Sequence, residues 1–489
     1  MLASPNRRRF LASTLAVAAA GGLETVLPIT ARPAAAATRM SLIVERRSLD
    51  VRGRAASVFG LRQADGTPGL VLEPGQRFAV DLVNRSGEAT VVHWHGQTPP
   101  NVQDGVVETG STLIPAGGRQ GYDFAPRPGT HWMHSHHGLQ EQALLAAPLV
   151  VRTAEDLRLD MQEVTVLLHD FTFRDPAEVL AQLTGSGTGM AGMSHAGMAM
   201  PGMSGSGASA PTMAGHAQPM DLNDIDYDAY LANDRTLDDP LLVRTERAGR
   251  VRLRLINGAT STAFWIDLGA TSATVLAVDG NPVRPVTARR FPLAQGQRLD
   301  LLVAMPQAGV VAVLAQREGD RARTGVILAT PGAAVSRLGG EADQAAEPVD
   351  LSLEQRLVAE APLAARPADV THRIALTGAM MPYAWGIDDR TWGNHVPLRV
   401  RKDQRVVLEM HNPSPMAHPM HLHGHHFQVV GLNGRTLPGA LRDTVLVPPR
   451  GVVAVAFDAD NPGRWLLHCH NLLHMATGMM TEIAYVTHA

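Results

Sequence analysis

Four short stretches of closely spaced histidines constrain the fold more than any other feature. They are "HWHG", "HSH", "HPMHLHG" and "HCHNLLHMATGM", which contribute His93 and His95; His134 and His136; His418, His421 and His423; and residues 468–479. The His-x-His spacing recurs in them, within apolar alternation typical of β-strands. Side chains two positions apart on a strand share a face, so each pair reaches into one space. The fold must bring these strands together.

The only cysteine of the chain, Cys469, stands between His468 and His470. Neighbouring side chains on a strand point to opposite faces, so the two histidines belong to one site and Cys469 to another. The covalent path between the sites is on the order of 10 Å. A lone thiol beside one histidine would be a candidate nucleophile, but this mixture of sulfur and imidazole favours copper.

The possible ligands divide into two sets. Cys469, His418 and His474 form the His₂Cys set of a blue-copper site, with Met479 as a weak axial ligand. The four His-x-His pairs leave eight imidazoles, enough for three further coppers as two, three and three. Zinc is disfavoured, because structural zinc sites use four ligands and usually more cysteines.

The composition predicts an all-β protein. Aromatic residues make up only 4% of the chain, and 46 glycines and 33 prolines interrupt its Val/Leu runs. The stretches "RFAVDLVNRSG", "VRLRLINGAT" and "RVVLEMHNPS" are similar, which predicts one β-sandwich repeated three times. We expect domains at residues 38–155, 156–335 and 369–489, with a linker at 336–368. The formal charge is −3 and no basic face stands out in the body of the sequence, so we expect no nucleic-acid partner.

The first 37 residues are typical of an export signal. "NRRRFLASTLAVAAAGG" places Arg7 and Arg8 before Phe10 and a short apolar run, and an Ala-rich stretch near Ala37 suits cleavage. The apolar run is too short for a stable membrane span. We therefore expect twin-arginine export to the periplasm, with an uncleaved anchor helix or a basic tail as the alternatives.

Residues 185–220 form a Gly-, Ser- and Ala-rich insertion in the second domain. It holds seven methionines between residues 190 and 220, together with His195 and His216. Thioethers prefer Cu(I), so this segment is interpreted as a copper-gathering element; an ordinary low-complexity linker is the alternative. The acidic run "DLNDIDYD" that follows is predicted to be a solvated face.

The four motifs, in this order and at these spacings, resemble those of the multicopper oxidases: laccases, ascorbate oxidase and bacterial copper-tolerance oxidases. The resemblance extends from about residue 42 to the end. It implies three cupredoxin-like Greek-key sandwiches and four coppers, with three coppers clustered between the first and third domains. The implied ligands are His418, Cys469, His474 and Met479 for type 1; His93 and His421 for type 2; His95, His134 and His470 for one type 3 copper; and His136, His423 and His468 for the other.

The resemblance also implies a reaction, in which four one-electron oxidations of a reductant at the type 1 site are coupled through Cys469 to reduction of O₂ to water. Asp104 resembles the acidic residue of the family near the type 2 copper and would supply protons; an ordinary Asp-Gly turn is the alternative. Copper-oxidising relatives often have a carboxylate where this chain has Met475, so any proton relay there differs.

Three functions remain open at this stage. The first is a periplasmic, monomeric Cu(I) oxidase of copper tolerance, which the methionine-rich insertion favours. The second is a laccase that oxidises phenols or aromatic amines. The third is a non-enzymatic copper-binding periplasmic protein, which the complete ligand set disfavours.

Overall fold

The computed structural model describes residues 39–185 and 222–486. The predicted signal peptide, residues 1–37, lies outside the described residues, and so does the methionine-rich insertion beyond Gly185. Within the described ranges, every helix is too short or too polar to cross a membrane. Strands dominate the structure and form six sheets among the described residues, two in each of three successive blocks.

The first block consists of two four-stranded sheets, with strand orders β2-β1-β4-β6 and β3-β8-β7-β5. Apolar side chains from both sheets form one core between them. The strands are β1 (Met40–Val51), β2 (Arg54–Gln63), β3 (Leu70–Leu72), β4 (Phe78–Asn84), β5 (Val92–His95), β6 (Arg119–Phe124), β7 (Gly129–Ser135) and β8 (Ala146–Val151), with short 3₁₀ helices at Asn101–Gln103 and Val107–Thr109.

The second block has a six-stranded and a five-stranded sheet around its own core. Its elements are α1 (Ala154–Arg158), β9 (Gln162–Phe171), α2 (Pro176–Leu183), β10 (Ala229–Ala232), β11 (Leu241–Arg244), β12 (Arg250–Asn257), β13 (Phe264–Asp267), β14 (Ala273–Val278), β15 (Asn281–Ala288), β16 (Arg290–Leu293), β17 (Arg298–Ala304), β18 (Val310–Arg317) and β19 (Arg323–Ala329). Helix α2 begins after Asp175, whose carboxylate accepts the Ala177 amide at 2.7 Å, with proline at its first position.

The third block has a seven-stranded and a five-stranded sheet. Its elements are β20 (Val370–Met380), β21 (Tyr383–Ile387), β22 (Leu398–Val400), β23 (Arg405–His411), β24 (His418–Leu422), β25 (Phe427–Leu432), β26 (Arg435–Thr436), β27 (Leu441–Arg442), β28 (Thr444–Val447), β29 (Val452–Asp458), β30 (Arg464–Cys469), α3 (Leu472–Ala476) and β31 (Met480–Tyr485), with 3₁₀ helices at Glu354–Arg356 before the block and Trp392–Asn394 within it.

A buried asparagine recurs at the same point of each block and confirms the predicted repeat. The side-chain amides of Asn84 and Asn412 each donate to three backbone carbonyls, and that of Asn257 donates to two. In the first and third blocks, the hydroxyls of Ser86 and Ser414 donate to the asparagine oxygen at 2.7 Å. The same turn chemistry therefore follows the equivalent strand in each sandwich.

The stretch at 336–368, predicted as a linker, packs tightly against two blocks. Leu353 and Leu357 are buried in the core of the second block. Val349 and Leu351 are buried in the core that belongs to the third. The stretch connects the two sandwiches in sequence, and its leucines also contribute to the packing of both.

Candidate metal centres

The pairing registers of the strands determine which histidines lie opposite one another and which face of the sheet their side chains occupy. Antiparallel pairing of β5 with β7 places His93 opposite His134. Pairing of β24 with β30 places His421 opposite His468 and Met420 opposite Cys469. Cys469 therefore lies on the face of β30 opposite to its two histidine neighbours, in agreement with the alternation of side chains along a strand.

Eight imidazoles from the first and third blocks meet in one buried group, called here the eight-histidine cluster. None of these side chains is more than 8% exposed. Rings from different blocks lie close together: the centroids of His95 and His421 are 3.7 Å apart, and those of His93 and His423 are 3.9 Å apart. The members are His93, His95, His134, His136, His421, His423, His468 and His470.

His93 and His421 converge on one point. The Nδ1 atom of His93 lies 2.8 Å from the carbonyl oxygen of Asp104, and that of His421 lies 2.9 Å from the carbonyl oxygen of Asp443. A backbone carbonyl accepts only, so Nδ1 carries the hydrogen in both rings and Nε2 keeps its lone pair. The two Nε2 atoms are 3.5 Å apart. This geometry suits one metal ion held by two imidazoles.

The other six imidazoles form two triads. In one, the ligand atoms of His136, His423 and His468 all lie within 4.8 Å of one another, and the Nε2 atoms of His423 and His468 are 3.0 Å apart. The second triad comprises His95, His134 and His470. Its closest nitrogen pair, His95 Nδ1 and His134 Nε2, is 3.4 Å apart, and the His470 ring centroid lies 5.0 and 5.2 Å from theirs.

Several of these nitrogens have no partner in the part of the chain that the structure describes. Both ring nitrogens of His470 and Nε2 of His136 are buried without a hydrogen bond. Such atoms are costly unless something binds them. Burial first, and then the neighbouring imidazoles, hold the pKa of His470 and of His136 well below its usual value. These rings are neutral with free lone pairs, as metal binding requires.

A second group, called here the cysteine site, lies on the other face of β30. The Sγ atom of Cys469 is 3.7 Å from Nδ1 of His418 and 3.6 Å from Nδ1 of His474, and those two nitrogens are 3.1 Å apart. Burial raises the pKa of the Cys469 thiol, so a thiolate here needs a bound cation. Soft sulfur with two imidazoles suits copper.

Met479, the predicted axial ligand, is fully buried. Its carbonyl accepts the Cys469 amide and its amide donates to the His474 carbonyl, both at 3.1 Å. The turn after α3 thus fixes Met479 to two of the three residues of the cysteine site.

The far nitrogens of both imidazoles at the cysteine site are occupied. The hydroxyl of Ser414 lies 2.7 Å from Nε2 of His418. The carboxylate of Asp224 lies 3.2 Å from Nε2 of His474 and accepts from Tyr383 and Asn471, both at 2.6 Å. Such partners leave the Nδ1 atoms directed at the sulfur.

Asp104 lies against the eight-histidine cluster and is fully buried. Its Oδ2 atom is 2.8 Å from Nδ1 of His423, and its Oδ1 atom is 3.4 Å from Nδ1 of His93. Among the described residues, Oδ1 has no hydrogen-bond partner. Asp104 is also a turn residue before Gly105, which has a φ of 83°. The two roles that the sequence suggested for Asp104, a turn residue and a carboxylate at the metal site, are therefore compatible.

Two further carboxylates lie at the cluster that were not predicted from the sequence. Asp443 lies 3.1 Å from Nε2 of His95. Burial raises the pKa of Asp443, but the guanidinium of Arg298 on both its oxygens outweighs this and holds that pKa well below its usual value. Glu141 lies 2.8 Å from Nδ1 of His134, and burial raises its pKa to about 8. Glu141 follows "HSH" by five residues, a weak signal; Asp443 carries none.

The acidic run after the insertion was interpreted wrongly at one position. Asp226 is solvated as predicted, with its side chain 95% exposed. Asp224 is instead 7% exposed and contacts the cysteine site. Proximity along the chain gave no reason to expect this, because His474 is 250 positions away.

Three of the described histidines outside the ligand sets have other partners. Nε2 of His131 lies 3.1 Å from the carbonyl oxygen of Pro128, and Nε2 of His425 lies 2.7 Å from the Tyr485 hydroxyl. Nε2 of His426 lies 2.8 Å from the carbonyl oxygen of Gly96. These three rings thus hold backbone and side-chain positions around the metal centres.

Comparison with known proteins agrees with this arrangement. Residues 45–156, 162–335 and 365–488 match three models of the multicopper oxidase family. The chain is 32% identical over 453 residues to multicopper oxidase MmcO of Mycobacterium tuberculosis, covering 90% of this chain and 85% of that protein. It is 26% identical to copper resistance protein A of Escherichia coli, covering 99% of both. A Neurospora crassa laccase is 26% identical over 85% of this chain and 72% of that protein.

Solved structures of low identity share the fold. A multi-copper oxidase from Pseudomonas thermotolerans superposes with a TM-score of 0.67 at 24% identity, covering 91% of this chain and 98% of that one. A laccase from Botrytis aclada gives a TM-score of 0.72 at 20% identity, with coverages of 91% and 87%.

Three cupredoxin-type sandwiches with a cysteine site and a histidine cluster define a copper oxidoreductase. The chain belongs to the multicopper oxidase family. Copper is its cofactor, and it is an enzyme that uses O₂ as electron acceptor, which excludes the non-enzymatic alternative.

Proposed function

We propose that this enzyme oxidises Cu(I) in the periplasm as part of copper tolerance, after export of the folded chain by the twin-arginine route. The single observation that carries the oxidase assignment is the pair of buried ligand groups on opposite faces of β30, joined by His468-Cys469-His470. Similarity to copper resistance protein A over 99% of both chains supports Cu(I) as the reductant. The position of Asp224 also supports Cu(I) as the reductant. This residue follows the last methionine of the insertion by four positions, and its carboxylate lies against His474.

The residues of the two groups fit four coppers. The cysteine site would hold the type 1 ion on His418, Cys469 and His474, with the Met479 thioether as a further, weaker donor. In the eight-histidine cluster, His93 and His421 would hold the type 2 ion, and the two triads would each hold a type 3 ion. Bound there, copper would supply one-electron redox chemistry, which couples four single-electron oxidations of the reductant to the reduction of O₂ to water.

The protein's own residues orient the imidazoles and handle protons. Acceptor groups on the outer nitrogens of His93, His421 and His474, two backbone carbonyls and the Asp224 carboxylate, fix the tautomers of these rings. Asp104 supplies protons to the cluster. Its Oδ1 atom is the suitable position, because it is buried beside His93 without a hydrogen bond among the described residues. The enzyme works as a monomer, with no nucleic-acid or stable membrane partner.

A laccase activity on phenols is the second candidate, and a cavity favours it. A recess of about 490 Å³ lies between α2 and the third block. Tyr383 and Thr477 line it, and both also bond at the cysteine site: Tyr383 donates to Asp224, and the Thr477 hydroxyl donates to the His474 carbonyl at 3.0 Å. A recess of this size accepts a small aromatic molecule.

The decisive experiment measures steady-state O₂ uptake by copper-loaded enzyme with Cu(I) and with a phenol. Deletion of residues 188–218 then tests the insertion. If its methionines gather Cu(I), the deletion lowers Cu(I) oxidation at low copper several-fold, while phenol oxidation holds or rises. Unchanged Cu(I) kinetics would move the laccase function into first place. Lack of O₂ uptake with either reductant would refute the oxidase assignment itself.

A further inference from the structure

A cavity of about 310 Å³ lies between the first and second blocks, away from the cysteine site. Its walls come from β2, β3 and β8 on one side and from β9 on the other. The volume is at the lower end of the range for small-molecule sites. Ala146, Pro148 and Leu167 contribute apolar surface, and Val71 at the mouth is 50% exposed. The cavity is thus mostly apolar and open at one end.

One cation in the wall has no anionic partner in the part of the chain that the structure describes. Arg47 and Arg62 both lie over Gly60: a Cβ placed on that glycine would be 3.1 Å from Arg47 Cδ and 3.5 Å from Arg62 Nε. The Arg47 guanidinium donates to the carboxylate of Asp234 at 2.8 Å and to the Phe59 carbonyl at 3.0 Å. The Arg62 side chain, which is partly exposed, makes no hydrogen bond or ion pair with the described residues. This end of the cavity therefore carries one uncompensated positive charge.

His169, which is 3% exposed, is a further polar group of the wall. The wall also contains Thr67, Thr165, Asn233 and the carboxylate of Asp234 that pairs with Arg47. Its Nδ1 atom lies 2.9 Å from the carbonyl oxygen of Gly258 and therefore carries the hydrogen. Burial lowers the pKa of His169, so the ring is neutral and Nε2 is an acceptor. That atom has no hydrogen bond among the described residues, and it suits a hydroxyl or N–H of a ligand.

We propose that this cavity binds a small carboxylate with an apolar body of about ten non-hydrogen atoms. The carboxylate pairs with Arg62, and the apolar body packs on Pro148 and Leu167. The copper sites take no direct part. Leu167 packs with Trp132, whose ring stacks on that of His134 at 4.3 Å, so one layer of side chains separates the ligand from the eight-histidine cluster.

Isothermal titration calorimetry on the copper-loaded enzyme tests this, with 3-phenylpropanoate as the probe and the neutral 3-phenylpropan-1-ol as its match. Neither carries an oxidisable phenol. We expect saturable one-to-one binding of the acid and about tenfold weaker binding of the alcohol, since a charge-assisted hydrogen bond distinguishes them. Absence of saturable acid binding, or equal affinities for acid and alcohol, would overturn the proposal.

Two variants locate the bound acid. Arg62→Gln should weaken acid binding about tenfold and leave the alcohol unaffected. Val71→Asp should also weaken the acid selectively, because it adds a negative charge at the mouth. Arg85→Gln is the matched control, since Arg85 is exposed in the same block and its side chain has no partner among the described residues. Equal losses in Arg62→Gln and Arg85→Gln would place the acid elsewhere and refute the site.

Discussion

The carboxylate of Asp224 lies 3.2 Å from Nε2 of His474, across 250 positions of sequence. It also accepts from the Tyr383 hydroxyl and the Asn471 amide. Burial raises the pKa of Asp224, but these interactions outweigh it and lower that pKa below its usual value. A negative charge therefore lies directly behind one imidazole of the cysteine site. It favours the more highly charged state of any metal bound there.

Removing the negative charge of Asp224 should raise the type 1 reduction potential. Asp224→Asn keeps the shape and removes the anion, so Cu(II) loses stabilisation relative to Cu(I). We expect an increase of roughly 50 mV, equivalent to about 1 kcal/mol for one electron. Redox titration of the blue absorption measures it. Asp226→Asn is the control, since that side chain is 95% exposed. Equal potentials in the two variants would show that the Asp224 carboxylate does not act on the site.

Cys469→Ser should abolish the intense blue absorption and essentially all turnover. In the proposed assignment, the Cys469 thiolate is the ligand that gives the colour, and Cys469 also connects the type 1 copper covalently to His468 and His470. The eight-histidine cluster keeps all its own ligands, so we expect the variant to bind one copper fewer per chain. Visible spectra, metal analysis and O₂ uptake measure these effects. A blue variant, or one with near-normal turnover, would contradict the ligand assignment.

Met479→Leu should keep the blue colour and raise the type 1 potential. Leucine has a similar volume, so the packing survives while the weak sulfur donor to Cu(II) is lost. Measuring the type 1 reduction potential of this variant and of Met480→Leu tests which of the two adjacent methionines is the ligand. Met480 is partly exposed, and we expect no shift for it. A shift confined to Met480→Leu would transfer the axial role to that residue.

Asp104→Asn should lower kcat at least tenfold and leave the blue absorption unchanged. The amide fills the same space against His93 and His423 but cannot take up and release a proton. Steady-state O₂ uptake measures the loss, and the exposed Asp123→Asn serves as the control. A normal kcat would leave Asp104 with the turn role alone.

The copper-free protein should be less stable at pH 5.5 than at pH 7.5. Burial lowers the pKa of His131 to about 3 and that of His425 to about 4. Each ring is neutral when folded and gains a proton on unfolding below about pH 6.5, so stability present above that pH is lost as pH falls. The loss is up to about 1.4 kcal/mol per pH unit for each ring.

Urea unfolding at the two pH values tests this prediction. Glu141 acts in the opposite direction, because burial raises its pKa to about 8 and the folded state holds its proton. Buried imidazoles with lowered pKa values outnumber such carboxylates, so the lower midpoint is expected at pH 5.5. An equal or higher midpoint there would mean that the rings are solvated.

Much of the metal chemistry could be predicted from the sequence, because neighbouring residues in a strand have a fixed relation. The spacing of His468, Cys469 and His470 sets which side chains share a face, whatever surrounds the strand. The repeated asparagine turn likewise predicted three similar sandwiches, and Asn84 and Asn412 make the same hydrogen bonds.

The carboxylates around these ligands could not be predicted in the same way. Asp224, Glu141 and Asp443 occur in stretches without a distinctive pattern. The acidic run containing Asp224 has the composition of a solvated face, and only its packing buries that one residue. Whether a carboxylate is buried depends on which distant segment covers it, and local spacing contains no such information.

By itself, the sequence determined that Cys469 and its two histidine neighbours lie on opposite faces of one strand, and it predicted the two ligand sets, because strand geometry is local and periodic. The tertiary structure alone decided how close these sets come and what electrostatic environment surrounds them. It packs β5 and β7 of the first block against β24 and β30 of the third, and it places the Asp224 carboxylate behind His474. Charge interactions depend on distance and burial, and both arise only when remote parts of the chain pack together.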